Sequence, residues 1–213
     1  MGNFVFLMTG LLNTILYSLA ALMIGIPLGL LIALIRTKKV PVLSPSLAVI
    51  VSFLRGVPLI LLILMFYFGL SNFGLNIPAF MAGGIAMALN HAAFVSEIFR
   101  GAILNFPNDQ IDAAIAYGMM PNQILWRVML PQILRVSLPA LTSEITLIIK
   151  TSPAIGIIGI NDITRSSSQL AASNFQPLMM ISIAMVIYIV MLLAIARISH
   201  GIDIQVQRRY ELV

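Results

Sequence analysis

Few side chains in this sequence can do chemistry, and their positions say more than their number. Glu144 and Lys150 fall within or beside an otherwise apolar stretch. An ionised group in hydrocarbon is costly, so each needs a polar interior or a partner. Glu144 either lines a polar path or bonds to a neighbouring helix. Lys150 either holds a carboxylate or shapes an outer gate, or it snorkels to the outer interface along its aliphatic stem or pairs structurally. Glu97 and Arg100 stand three apart, a helical pairing distance, at the inner interface. Asn90 and His91 read as hydrogen-bonders between helices, and Arg55 as a marker of the inner interface.

Absent motifs narrow the chemistry. The chain has no cysteine, hence no disulfide framework, thiolate nucleophile or cysteine-based metal site. Its two histidines, His91 and His200, lie far apart. No Gly-x-x-x-x-Gly-Lys-Ser/Thr phosphate loop, Gly-x-Ser-x-Gly elbow or His-Glu-x-x-His pair occurs. The sequence therefore reads as lacking catalytic machinery and cofactors of its own, with energy supplied by a partner or a gradient.

Those few polar groups are set in a membrane protein. Sixty per cent of residues are hydrophobic and nine per cent charged, against about a quarter charged in a soluble domain. Met1–Ile35, Gly56–Ser96 and Ser166–Ala196 lack Asp, Glu, Lys and Arg, and each exceeds the ~20 residues that cross a bilayer as helix. The first run has no basic flank and is too long for a signal-peptide core, so it reads as a retained span. The expected fold is all-α in a single transmembrane domain over residues 1–213. About five spans are expected, at roughly 4–35, 47–70, 77–99, 132–150 and 175–196. Tilt, or a kink at Pro27 between Gly25 and Gly29, would absorb the excess length of the first.

The formal charge of +5 does not point to nucleic acid, because the basic residues punctuate the spans instead of clustering on a soluble face. Arg36, Lys38, Lys39, Arg55, Arg100, Arg127, Arg135, Arg197, Arg208 and Arg209 fall on one side, and only Lys150 and Arg165 on the other. That asymmetry places the N-terminus outside and the C-terminus in the cytoplasm.

Two connections are more than turns. Within 101–131, Asn108 or Asp109 is expected to cap a short helix through Ala113, Ala114 and Ala116, with Gly118 at its C-terminus. Pro121 and Asn122 then open a second helix containing Ile124, Leu125, Trp126 and Val128. An amphipathic helix lying in the headgroups is disfavoured, because residues 106–122 hold two Asp and no Lys or Arg. On the other side, residues 151–174 open with Pro153, Gly156 and Gly159, after which Asn161 or Asp162 is expected to cap a polar helix.

The stretch Asp112-Ala113-Ala114, three residues, Gly118, nine residues, Val128-Met129-Leu130-Pro131 resembles the EAA loop of ABC importer permeases, Glu-Ala-Ala, three residues, Gly, nine residues, Ile-x-Leu-Pro. The spacing matches throughout, with Asp112 for Glu and Val128 for Ile. Further segments are similar to the polar amino-acid branch of that family: Arg55-Gly56-Val57-Pro58-Leu59, Ser96-Glu97-Ile98-Phe99-Arg100-Gly101, Leu147-Ile148-Ile149-Lys150-Thr151-Ser152, Asp162-Ile163-Thr164-Arg165 and Gln207-Arg208-Arg209. Thr151 replaces an acid often found at its position.

The resemblance implies a type I importer permease fold in a bacterial inner membrane. Asp112, Ala113, Ala114, Gly118, Leu130 and Pro131 would couple it to two cytoplasmic ATP-binding subunits carrying ATP and Mg. A second permease, identical or paralogous, and an extracytoplasmic amino-acid-binding protein would complete the assembly. Glu144, Lys150, Thr151, Ser152 and Asn90 are the candidates for the substrate pathway, Glu144 as a partner for an ammonium group. Rival readings are a secondary transporter or channel for small polar solutes, an intramembrane enzyme, and an ABC permease for another solute such as methionine. The low intramembrane charge count, the lack of an inverted repeat and the absence of an acid/base pair weigh against the first two.

Overall fold

The computed structural model describes the backbone of residues 2–208 and the side chains of residues 3–199 and 201. Arg209 and the side chains of His200, Gln207 and Arg208 lie outside the described residues. Helix α1 spans Gly2–Thr37 and runs unbroken through Pro27. Its interior face carries Gly10, Thr14, Ser18, Ala21, Gly25, Gly29 and Ala33 at intervals of three or four residues. That is the spacing of one helix face, and small side chains there let a second backbone come close.

The second backbone is α4, Ala79–Leu104, which packs against α1 more extensively than any other element does. A Cβ on Gly25 would sit 3.1 Å from His91 Cβ, and one on Gly29 would sit 2.7 Å from Val95 Cγ1 and 2.9 Å from the Ala92 carbonyl oxygen. Gly25 thus meets His91 and Gly29 meets Val95, while Arg36 pairs with Glu97. Contacts advance in the same direction along both helices, so α1 and α4 are parallel. The chain must therefore cross back between them.

The return is made by α2, Leu43–Gly56, and α3, Leu59–Asn72, which meet at an angle of 109°. Counting this bent pair as one, the described residues hold five helical segments long and apolar enough to cross a membrane. The span expected over 47–70 is present but bent: Pro58 has no N–H to give the Leu54 carbonyl, and its ring forces Val57 into extended backbone at φ −87°, ψ 131°. A π-turn at Met65–Gly69 loosens α3 further on.

Helix α5 is short, Asn108–Ala116. It is followed by α6, Pro121–Ile158, which changes character along its length. A π-segment at Ile124–Met129 leads into regular helix from Leu130 to Thr151 and a 3-10 turn from Ser152 to Ile158. The separate second helix expected within 101–131 is thus the first turns of the fourth span. Pro131 does not break it, because the looser π-segment ends just before the proline and absorbs the missing donor. Residues 101–104 also remain helical, so the connection is shorter than the sequence suggested.

Helices α7, Ile163–Asn174, and α8, Pro177–Arg208, complete the described residues. Asp162 caps α7, accepting hydrogen bonds from the backbone N–H groups of Thr164 (3.0 Å) and Arg165 (2.9 Å), as expected for this position. Asn13 donates to the Asn161 carbonyl at 2.8 Å, and Leu7 packs with Leu170, Ala171 and Met180. These contacts fix α7 beside the N-terminal end of α1. Leu178, Met179, Met185, Val186, Val190 and Leu193 of α8 face outward, an apolar surface suited to lipid.

The close α1–α4 approach makes a paired prediction. Gly29→Ala should lower stability by roughly 1–3 kcal/mol through overpacking. Gly84→Ala, where nothing lies within 4 Å of an added Cβ, should be nearly silent. Thermal unfolding of the detergent-purified variants measures both.

Candidate functional site

Two constellations stand out, one at an end of the bundle and one at mid-depth. At the end, α5 begins after Pro107 as N-cap, and neither Asn108 nor Asp109 caps it as expected. Asn108 is already helical and Asp109 occupies the first turn. Asp112 and Ala113 are exposed, one turn further along, and Ala114 is buried.

The helix stops in a turn that matches the sequence expectation. Gly118 N–H donates to the Ile115 carbonyl at 2.8 Å, and Met119 N–H to that of Ala114 at 3.1 Å. Gly118 holds φ +74°. This is a Schellman motif, and the left-handed backbone, not lack of space, is what calls for glycine. Met120 N–H then bonds Gln123 Oε1 at 2.9 Å and starts α6 at Pro121. Leu130 and Pro131 lie half-buried after the π-segment. Around this turn Ile115, Tyr117, Met120 and Trp126 are all exposed, Tyr117 by 89 %. The same end of the bundle carries a charge cluster: Glu97 holds Arg36, and Arg100 at 2.7 Å. The expected Glu97–Arg100 pair is present and gains a third member from α1.

At mid-depth the α2–α3 break opens a cavity of about 200 Å³. Arg55, Val57, Pro58 and Leu59 line it from the break, Met87, Asn90, His91 and Phe94 from α4, and Glu144, Leu147, Ile148 and Thr151 from α6. Asn90 explains why the break is tolerable. Its Nδ2 donates to the Leu54 carbonyl at 2.7 Å, supplying the bond that Pro58 cannot. Water is not at hand in the bilayer core, so such a carbonyl needs a protein donor.

Glu144 and His91 form a buried pair. They are 7 % and 3 % exposed, and a Glu144 carboxylate oxygen lies 2.7 Å from His91 Nδ1. The alignment falls short of a full hydrogen bond, and His91 Nε2 has no partner. Arg55 rests its guanidinium over the Phe94 ring, 5.2 Å from the centroid, and forms no ion pair among the described residues. Asn90 and Phe94 sit near the middle of α4, and the break carries Arg55 down to them.

Of the candidate pathway residues, the structure brings Asn90, Glu144 and Thr151 to one cavity. Ser152 is buried elsewhere, donating to the Ile149 carbonyl at 2.9 Å, and Lys150 is exposed and lines no part of it. Arg55, His91 and Phe94 join the site without having been singled out for it. The helix-breaking Gly56-Val57-Pro58 was the available signal.

The chain resembles known proteins in both sequence and fold. A family described as "Binding-protein-dependent transport system inner membrane component" matches residues 25–209. The L-cystine transport system permease protein TcyB of Bacillus subtilis (strain 168) is 31 % identical over 200 residues, covering 93 % of this chain and 86 % of the relative. The arginine transport system permease protein ArtQ of the same organism is 31 % identical over 202 residues, covering 93 % and 91 %. Among solved structures, a chain of an amino acid ABC transporter crystallised with histidines superposes with a TM-score of 0.87 at 32 % identity, covering 94 % of each chain. The inward-facing MetNI methionine ABC transporter shares the fold, with a TM-score of 0.72 at 22 % identity over 94 % of each chain.

The Asn90–Leu54 bond is open to a direct test. Asn90→Leu removes the donor and should cost roughly 1–2 kcal/mol, read as a fall in thermal stability in detergent. Pro58→Ala restores a backbone donor to Leu54, and on that background Asn90→Leu should lose most of its effect in a double-mutant cycle.

Proposed function

The chain belongs to the binding-protein-dependent transport system inner membrane component family, and from that membership we propose that it lines the translocation pathway of an ATP-driven amino-acid importer. It is a multi-pass inner-membrane permease subunit, and its family works with ATPase subunits. The permease acts as one domain over residues 1–213, with ATP and Mg carried by the partner ATPases. A second permease, identical or paralogous, faces it across the pathway, and an extracytoplasmic binding protein delivers the amino acid.

One observation carries this reading: a single continuous helix joins the exposed turn to the cavity wall. α6 starts at Pro121, immediately beyond Gly118, and bears Glu144 twenty-three residues later, roughly 35 Å along a helix axis. An ATPase that grips α5 moves the base of α6, and the wall bearing Glu144 and Thr151 moves with it. Asp112, Ala113, Ala114, Gly118, Leu130 and Pro131 serve the coupling. The exposed Ile115, Tyr117, Met120 and Trp126 supply the apolar contact surface, consistent with the aromatic character of docking sites. Asn90, Glu144 and Thr151 face the pathway. To switch from 1:99 to 99:1, ATP must favour the outward-facing state by about 5.5 kcal/mol.

Orientation follows the basic residues. The Arg36–Glu97–Arg100 cluster and α5 share one end, which we assign to the cytoplasm, leaving the N-terminus and α7 outside.

The test reconstitutes the chain in liposomes with its ATPase and binding protein. Loaded binding protein should stimulate ATP hydrolysis and amino-acid uptake. Gly118→Val should cut uptake at least tenfold while the permease remains folded, since its strain of about 1–2 kcal/mol is confined to the turn. Uptake driven by an ion gradient without any ATPase would instead establish a secondary transporter.

A further inference from the structure

The mid-depth cavity also carries an arrangement of charge that selects among amino acids. This rests on the importer reading above. Its fixed charged groups are few: the Arg55 guanidinium from the α2–α3 break, the Glu144 carboxylate from α6, and the His91 imidazole from α4. The remaining lining is uncharged, with Asn90 and Thr151 the only other polar side chains.

Glu144 already has a basic neighbour. A carboxylate oxygen lies 2.7 Å from His91 Nδ1 without completing a hydrogen bond, and both groups are more than nine-tenths buried. If His91 is neutral, the pair carries one negative charge, which Arg55 balances. If His91 is protonated, the pair is neutral and the cavity carries the single positive charge of Arg55. In neither state is the cavity net negative. A net-cationic amino acid entering it would bring an uncompensated charge into a low-dielectric space.

Two basic groups lining the cavity, the Arg55 guanidinium and His91 Nε2, have no ionic or hydrogen-bonding partner among the described residues. Arg55 is parked on the Phe94 ring, a contact weak enough for a carboxylate to displace, because a bidentate guanidinium–carboxylate pair is far stronger than an exposed cation–π contact. His91 Nε2 is buried and unpaired. With Nδ1 turned to the carboxylate, a neutral His91 carries its hydrogen there and presents the Nε2 lone pair. The two offer what an α-amino acid needs: a guanidinium for the carboxylate and a lone pair for the ammonium group. Beyond them Met87, Leu147 and Ile148 supply an apolar wall that gives a side-chain charge no counter-ion.

We propose that Arg55 and the His91–Glu144 pair form a binding site for zwitterionic amino acids with uncharged side chains, and that His91 excludes cationic ones by occupying Glu144. A second carboxylate, as in an acidic amino acid, would meet either Glu144 or the apolar wall.

The test measures equilibrium binding of tritiated glutamine, arginine and glutamate to the permease–ATPase complex in nanodiscs, without the binding protein, whose own selectivity would mask the site's. Glutamine should bind saturably, and arginine and glutamate at least tenfold more weakly. Arg55→Gln should weaken glutamine binding at least tenfold. His91→Gln should raise arginine affinity relative to glutamine at least fivefold by releasing the carboxylate. Glu144→Gln should raise glutamate relative to glutamine by a similar factor, and this second change of selectivity decides the matter if the His91 variant fails to assemble. Arginine or glutamate binding as tightly as glutamine, or charge selectivity unmoved in correctly assembled variants, overturns the inference. Absence of binding by all three, in a complex that still imports amino acids into liposomes, overturns it while leaving the importer reading intact. Absence of both binding and import overturns both.

Discussion

Within the hydrocarbon core a backbone carbonyl has no water to turn to, and Pro58 denies the Leu54 carbonyl its helical donor. Much of this molecule's functional anatomy follows from that constraint. The helix that would have crossed straight stops at Gly56, turns through 109° and resumes at Leu59. Asn90 on α4 satisfies the stranded carbonyl, which ties the break to the centre of the bundle. The break lines a cavity, and irregular backbone at membrane depth is tolerated where it does so. It leaves a concavity where three helices would otherwise have packed flush, and the polar side chains gather there.

The close α1–α4 contact makes the second half of the arrangement possible. Glycine at 25 and 29 brings the two backbones together, and His91 emerges from α4 within reach of Glu144 on α6. Glu144 then has a partner at a depth where an isolated carboxylate would be strongly disfavoured. The buried pair is also the point at which α4 and α6 meet the cavity. α6 continues without interruption to the exposed turn at Gly118, so a displacement at the membrane surface and a change in the cavity wall are movements of one element. The π-segment at Ile124–Met129 lies between them, and π-turns within helices are frequent at functional positions.

Sequence patterns revealed the parts governed by local chemistry. Long charge-free runs marked the crossings, Gly118 marked a left-handed helix end, and Asp162 marked a cap, each because the residue type has one physical use at its position. What stayed hidden depended on tertiary context. The bend at Gly56-Val57-Pro58 stayed hidden inside the span at 47–70, since hydropathy is blind to a bend inside an apolar run. The helix from Pro121 and the span from 132 read as separate elements, because a π-segment that seats Pro131 leaves no mark in composition. Asn90 was legible as an interhelical donor, but not its acceptor, which lies on another helix. Of the pathway candidates, Glu144, Thr151 and Asn90 share the cavity, whereas Lys150 and Ser152, adjacent in sequence, point elsewhere because a helix turns successive residues by 100°.

The central claim is that the mid-depth cavity belongs to a pathway whose access is set by ATP at the far end of α6. The chain's lack of native cysteine permits a direct measurement: Thr151→Cys in the assembled complex in liposomes, labelled with a membrane-impermeant thiol reagent applied from the outside. Labelling should be slow without nucleotide and accelerate at least tenfold when ATP is trapped, while Val186→Cys on the lipid-facing side of α8 stays unchanged. Labelling of Thr151→Cys at one rate regardless of nucleotide would contradict the claim.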